Sequence, residues 1–256
     1  MICSSSLPGR VGRRLLRRRA VVLVLILAPL ALSASANAGT RPGVAAGVRL
    51  SDERTHTYWA HSRLRAPILG LPAPNSRLIA RVRYYTEDGF REVYLVLRRW
   101  ADPEGRTWLK VRIPMRPNGR TGWVRDFALG GLHLVRTSLV VDRGTLRATL
   151  YRSGQVIWRS PIGVGAPSTP TPAGRFWIRE RIKVLNPGGS YGPWAFGTSA
   201  YSVLSDWPGG GVIGIHGTNQ PQLIPGRPSH GCVRVENSAI SRLARLMPIG
   251  TPVLIR

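Results

Sequence analysis

From Ser76 onward, turn-forming residues cut the chain into short apolar runs, and this punctuation limits its possible folds more than any other feature. RLIARVRYYT is followed by EDG, FREVYLVLRRW by ADPEG, and RTWLKVRIPM by RPNG, before RTGWVRDFAL closes the series. Runs rich in Val, Leu, Tyr and Trp between Asp, Gly, Pro and Asn turns predict antiparallel strands joined by hairpins. Residues 76–132 are therefore expected to form a small antiparallel barrel or sheet. Residues 39–75, with four prolines, are read as a linker and the first barrel edge.

A second β-rich stretch occupies 133–256. In TLRATLYR, Leu146, Ala148 and Leu150 alternate onto one face. VIWRSPIGV follows, then the proline-rich loop GAPSTPTPAG and RFWIRERIKVL. NPGGSYGPWAFG reads as another loop, SAYSVL as a short strand, and VIGIHGT as a β-branched strand ending near His216. ENSAISRLARLM alone has helical spacing, with Ile240, Leu243, Ala244 and Met247 on one face. Asn237 or Ser238 is available as its cap, and Pro248 and Gly250 end it. TPVLIR is expected to be a last strand. The fold class is mainly β: a small N-terminal barrel or sheet, then a β-rich domain with one helix.

The first 38 residues read differently. RVGRRLLRRR precedes an apolar run of thirteen, AVVLVLILAPLAL, and then SASANA, with small residues at A-x-A steps. That order is the pattern of a secretory signal, and the run is short for a membrane span. An uncleaved signal anchor is the alternative, and it is the one case in which a membrane is a partner. Either way, the remainder is expected outside the cytoplasm, in the wall, the periplasm or at the outer face of the membrane. Cleavage removes Cys3 and leaves Cys232 as a lone exported thiol, with no intramolecular disulfide open to it.

The chain carries 37 Lys and Arg against 12 Asp and Glu, a net charge of +25. The basic residues form no dense stripe, and an exported protein meets little nucleic acid, so nucleic-acid binding is not expected. A diffuse positive field suits anionic wall polymers instead.

The chemistry narrows by elimination. Asp142, Glu180, Asp206 and Glu236 each look like turn or surface carboxylates, which disfavours a paired-carboxylate mechanism. No GxSxG elbow or HExxH motif occurs. What remains is Cys232 in SHGCVR, with His230 two positions before it, Arg234 two positions after, and His216 upstream. A cysteine nucleophile reacts as a thiolate and needs a base or cation close by. Gly231 lets backbone approach a carbonyl, so the Gly231 and Cys232 amides can face a developing oxyanion. Arg234 can hold a carboxylate. Spacing alone leaves open which histidine is the base. An inert core cysteine and a zinc site of His216, His230 and Cys232 are the competing readings, though no fourth ligand is evident. His56, His61 and His133 read as packing or surface residues. Tyr191, Trp194 and Tyr201 suit a peptide groove or simple packing equally well.

HGTNQPQLIPGRPSHGCVR resembles the active-site signature of the bacterial L,D-transpeptidase family: histidine with Gly-Thr, a loop, then Ser-His-Gly-Cys. TPTPAGRFWI and GTPVLIR resemble the family's proline loop and final strand, so the likeness covers most of 133–256. Separately, TWLKVRIPMRPNGRTGWV resembles the closing hairpin of bacterial Src-homology-3-like domains. The first resemblance implies Cys232 as nucleophile and His216 as proton donor and acceptor, with His230, Gly231 and Arg234 shaping the pocket and oxyanion site. Many members have asparagine where Arg234 stands. It further implies peptidoglycan stem peptides as substrate, 3→3 cross-linking with release of a terminal D-alanine, no metal or organic cofactor, and carbapenem adducts on Cys232. The alternatives are an L,D-carboxypeptidase using the same site, or a catalytically inactive wall-binding protein whose 76–132 domain holds a glycan or stem peptide.

Overall fold

The computed structural model describes residues 47–206 and 208–256, and the expected leader at 1–38 lies outside them. The first sheet has eight strands: β1 (Val48–Arg49), β2 (Thr57–His61), β3 (Pro67–Leu69), β4 (Leu78–Arg81), β5 (Val93–Ala101), β6 (Thr107–Arg112), β7 (Thr121–Arg125) and β8 (His133–Val135). Their order is β4-β3-β7-β6-β5-β2-β8, with β1 also on β5, and every pairing is antiparallel. The β5–β6 and β6–β7 hairpins follow the ADPEG and RPNG turns. One face is closed by Ile68, Tyr94, Val96, Val111 and Val124, all at most 1% exposed. RLIARVRYYT pairs only over its first half. Beyond Arg81, the chain turns away, and Tyr85 makes a lone bridge to Arg91. Residues 48–69 contribute three strands to this sheet, and 133–135 the eighth.

The rest of the chain forms β9 (Thr137–Asp142), β10 (Arg147–Arg152), β11 (Gln155–Pro161), β12 (Gly163–Gly165), β13 (Gly174–Trp177), β14 (Ile182–Lys183) and β15 (Trp194–Tyr201). After these come β16 (Val212–His216), β17 (Gly226–Ser229), β18 (Val233–Arg234), the helix α1 (Asn237–Leu246) and β19 (Pro252–Ile255). A five-stranded sheet runs β11-β10-β9-β19-β13, and a six-stranded one β14-β15-β16-β18-β12-β17. Alternation drives the first: Leu139 and Val141 on β9 and Ala148 and Leu150 on β10 are buried, and their neighbours are not. Ile240, Leu243, Ala244 and Met247 all turn into the same core. At about 25 cal/mol per Å² of apolar surface, this stripe supplies most of what holds so short a helix in place.

Three expectations need correction. β15 begins at Trp194, inside the stretch read as loop, because Phe196 is fully buried opposite Ile215 of β16; the flanking glycines and proline hid that run. Glu236 is the N-cap residue, and neither Asn237 nor Ser238 caps the helix: the Asn237 side chain instead accepts the Thr218 N–H at 2.8 Å. Glu180 is not at the surface. It is 2% exposed, beneath the 86–88 turn that follows β4.

Candidate active site

The central strands of the six-stranded sheet place the SHGCVR segment. β16 and β18 run parallel, with His216 opposite Arg234, and β12 lies on the other side of β18. Between β17 and β18, the chain makes a tight turn through His230 and Gly231. Gly231 has φ +124°, and a side chain there would strike Ile213, so glycine is required. The Ser229 hydroxyl spans the turn, donating to the Cys232 carbonyl at 2.6 Å and accepting from the Gly231 N–H at 3.2 Å. Thr171 braces it from the proline loop: its hydroxyl donates to the Gly231 carbonyl at 2.7 Å and accepts the Gly165 N–H at 2.9 Å. The Gly231 amide, one of the two expected oxyanion donors, therefore points inward at Ser229.

The Cys232 sulfur accepts the Gly214 N–H at 3.3 Å and lies between two openings. One is a small cavity of about 150 Å³ lined by Tyr191, His216, Ser229, His230, Cys232 and Arg234. The other is a groove of about 500 Å³. A methyl group on Gly214 would touch His216 Cδ2 at 3.6 Å and the sulfur at 3.7 Å, so ring edge and sulfur flank the same spot. His216 is 5% exposed, and its Nδ1 lies 2.6 Å from the Gly217 carbonyl. A carbonyl only accepts, so the proton sits on Nδ1 and Nε2 keeps its lone pair. Tyr191 covers the imidazole, with the ring centres 4.7 Å apart.

Burial pushes the His216 imidazole down to about 4; Arg234 presses the same way, and the Gly217 carbonyl resists. Burial also raises the Cys232 thiol, against the opposing pull of the Gly214 amide and Arg234. With no substrate present, both partners are therefore neutral near pH 7. Arg234 donates through Nη1 to Gln220 at 3.0 Å, while its Nε is buried without a hydrogen-bond partner. His230 is exposed at the cavity rim. Among the described residues, no three His, Cys, Asp or Glu groups gather as a metal cluster.

All five residues singled out by sequence thus meet at one place, Gly231 through its conformation rather than its amide. Sequence reasoning missed Ser229 and Thr171, which hold the cysteine turn, and left out Tyr191. Asn237 was read only as a cap. Nothing local marks Thr171 or Asn237, because their partners lie on other loops, whereas Ser229 bonds within its own turn.

A family model described as the L,D-transpeptidase catalytic domain, YkuD, matches residues 136–255. YkuD of Bacillus subtilis, named as a candidate L,D-transpeptidase, is 36% identical over 117 residues, which are 46% of this chain and 64% of that protein. The Bacillus licheniformis protein of the same name is 36% identical over 120 residues, 47% of this chain and 64% of its own. The chain therefore spans just under two thirds of the length of these relatives. Among solved structures, a cysteine-to-serine mutant of the Enterococcus faecium L,D-transpeptidase is 29% identical, covering 47% of this chain and 49% of that one at a TM-score of 0.37. Residues 136–255 are thus similar to the L,D-transpeptidase catalytic domains of the YkuD family.

Proposed function

We propose that this protein is an exported cysteine L,D-transpeptidase that forms 3→3 cross-links between peptidoglycan stem peptides. The observation that carries the reading is the small cavity in which Cys232, a His216 with its Nε2 lone pair available, and Arg234 converge. Because thiol and imidazole are both neutral at rest, Nε2 takes the thiol proton as the sulfur attacks the carbonyl before the terminal D-alanine. The C–N bond breaks, His216 returns that proton to the departing amine, and a thioester remains. An amine of a second stem then attacks the thioester; its proton passes to His216 and on to the released sulfur. Arg234, with an unpaired Nε, suits the terminal carboxylate of the donor stem. With Gly231 turned inward, the Cys232 amide is the remaining backbone donor for the oxyanion. His230, at the rim, is assigned to substrate contact. The charge of +25 suits an anionic wall environment.

Incubating the protein with tetrapeptide stems and analysing the products by mass spectrometry tests this. Wild type should give 3→3 dimers and free D-alanine, and a carbapenem should add covalently to Cys232; Cys232→Ala should do none of these. D-alanine without dimers would mean water is the acceptor and the activity is that of a carboxypeptidase. Binding to sacculi that survives Cys232→Ala, with neither product nor adduct from wild type, would leave a wall-binding protein.

A further inference from the structure

Glu180 is out of place as a structural residue. It is 2% exposed, and its Oε2 is buried with no hydrogen-bond partner. The neighbouring arginine makes its ion pairs elsewhere. Arg179 gives its guanidinium to Glu92 at 2.7 and 2.8 Å and to Glu87 at 2.9 Å, on the other side of the segment. Thr86 and a second carboxylate, Asp88, flank Glu180, both from the turn that follows β4. Burial and the nearby Asp88 raise the Glu180 carboxyl to about 7, against the opposing pull of the Thr86 hydroxyl and of Arg179.

Both carboxylates line the groove of about 500 Å³ that ends at Cys232; Ile182, Val184, Leu185 and Val212 supply apolar wall, and Lys183 is also in the lining. In its floor, Gly197 and Gly214 pair directly across β15 and β16; Glu180 lies on Gly197, and Gly214 leaves open space beside it. A methyl on Gly197 would collide with Glu180 Oε2, and one on Gly214 would touch the Cys232 sulfur at 3.7 Å. Paired residues on adjacent strands present the same face, so carboxylate and sulfur stand over one surface about a strand spacing or two apart, roughly 5–9 Å. A side chain of four or five carbons carries an amine about 6 Å from its own carbonyl carbon.

We propose that Glu180 and Asp88 form a subsite for a primary alkylammonium on the side chain of a stem peptide, with the glycine floor admitting its hydrocarbon. The apolar walls and the presence of only two acids favour an alkylammonium over a hydrated metal ion. This inference rests on the peptidoglycan reading of the site. It assigns the turn that follows β4 a part in substrate selection that nothing in the cysteine motif provides.

Calorimetry on the Cys232→Ala protein, with a tetrapeptide stem carrying either a free or an N-acetylated side-chain amine, tests the subsite without catalysis. The free amine should bind at least about tenfold more tightly. Glu180→Gln and Asp88→Asn, each added to that protein, should cut the ratio to about threefold or less. Equal binding of the two forms, or binding of neither, overturns the proposal; a ratio unchanged in both carboxylate variants does so as well. In the wild-type protein, amine preference in D-alanine release assigns the ammonium to the donor stem; dimer yield is not used, because the acetylated amine cannot attack the thioester. D-alanine release without any amine preference removes the subsite but leaves the reaction standing. Amine-selective binding with no turnover does the reverse.

Discussion

Two buried groups beside the sulfur pull stability in opposite directions as pH changes. Glu180 has a folded pKa of about 7 against an ordinary 4.5, so its contribution is fully present below 4.5 and is lost as pH rises through 7. His216 is held at about 4 against 6.5, so its contribution is present above 6.5 and is lost as pH falls toward 4. Glu180→Gln keeps the shape and removes the titration. Its stability should match wild type near pH 5 and exceed it at pH 8 by on the order of 2 kcal/mol, measured by urea unfolding at the two pH values. An equal difference at both would mean that Glu180 is not held protonated. At this scale, the residues that meet at the small cavity were legible, since cysteine, histidine, glycine and arginine stood in one short motif with His216 upstream. Glu180 was not. In RFWIRERIKVL it looks like one charge in an exposed alternation, and what buries it lies about ninety positions earlier, at Thr86 and Asp88.

Elements position the site through loops that the periodicity of strands does not describe. Strands such as β9 and β10 and the helix α1 were readable because burial follows a period of two or of three to four along each. The start of β15 was hidden by glycines that lower its apparent strand character but are needed as groove floor. Likewise, the proline loop at 165–174 looks like a connector, yet Thr171 ties it to the carbonyl of Gly231, beside Cys232. Thr171→Val keeps the volume and leaves that carbonyl and the Gly165 amide without their partner. The cost should be about 1–3 kcal/mol. Acylation of Cys232 by a carbapenem should slow about tenfold, and Thr171→Ser should restore most of the rate. A rate unchanged in Thr171→Val would show that the turn holds itself without the loop.

At the scale of the whole molecule, the first sheet and the two sheets that follow it share buried polar and ionic contacts. Trp177 donates from its indole to the Val93 carbonyl at 2.8 Å and packs with Val93 and Leu95. Beside it, Arg179, 1% exposed, bridges Glu92, which is 0% exposed, and Glu87, and Arg83 pairs with the same two carboxylates. Tyr201 of β15 donates to Glu87 at 2.5 Å. A chain so rich in arginine thus spends several of its few acids internally, and the turn carrying Glu87 and Asp88 is fixed at the groove by them. Breaking one side of a buried pair costs more than the pair itself contributes, because the partner charge stays buried. Arg179→Met should therefore lower unfolding free energy by about 2–4 kcal/mol, with Arg83 left to offset part of the loss. Adding Glu92→Gln should recover at least about 1 kcal/mol, measured as the coupling in a double-mutant cycle by urea denaturation. The same Arg179→Met protein should lose part of its preference for a free side-chain amine, since Asp88 is no longer held in place through Glu87. Strictly additive stabilities with an intact amine preference would instead make the first sheet a passive neighbour of the site.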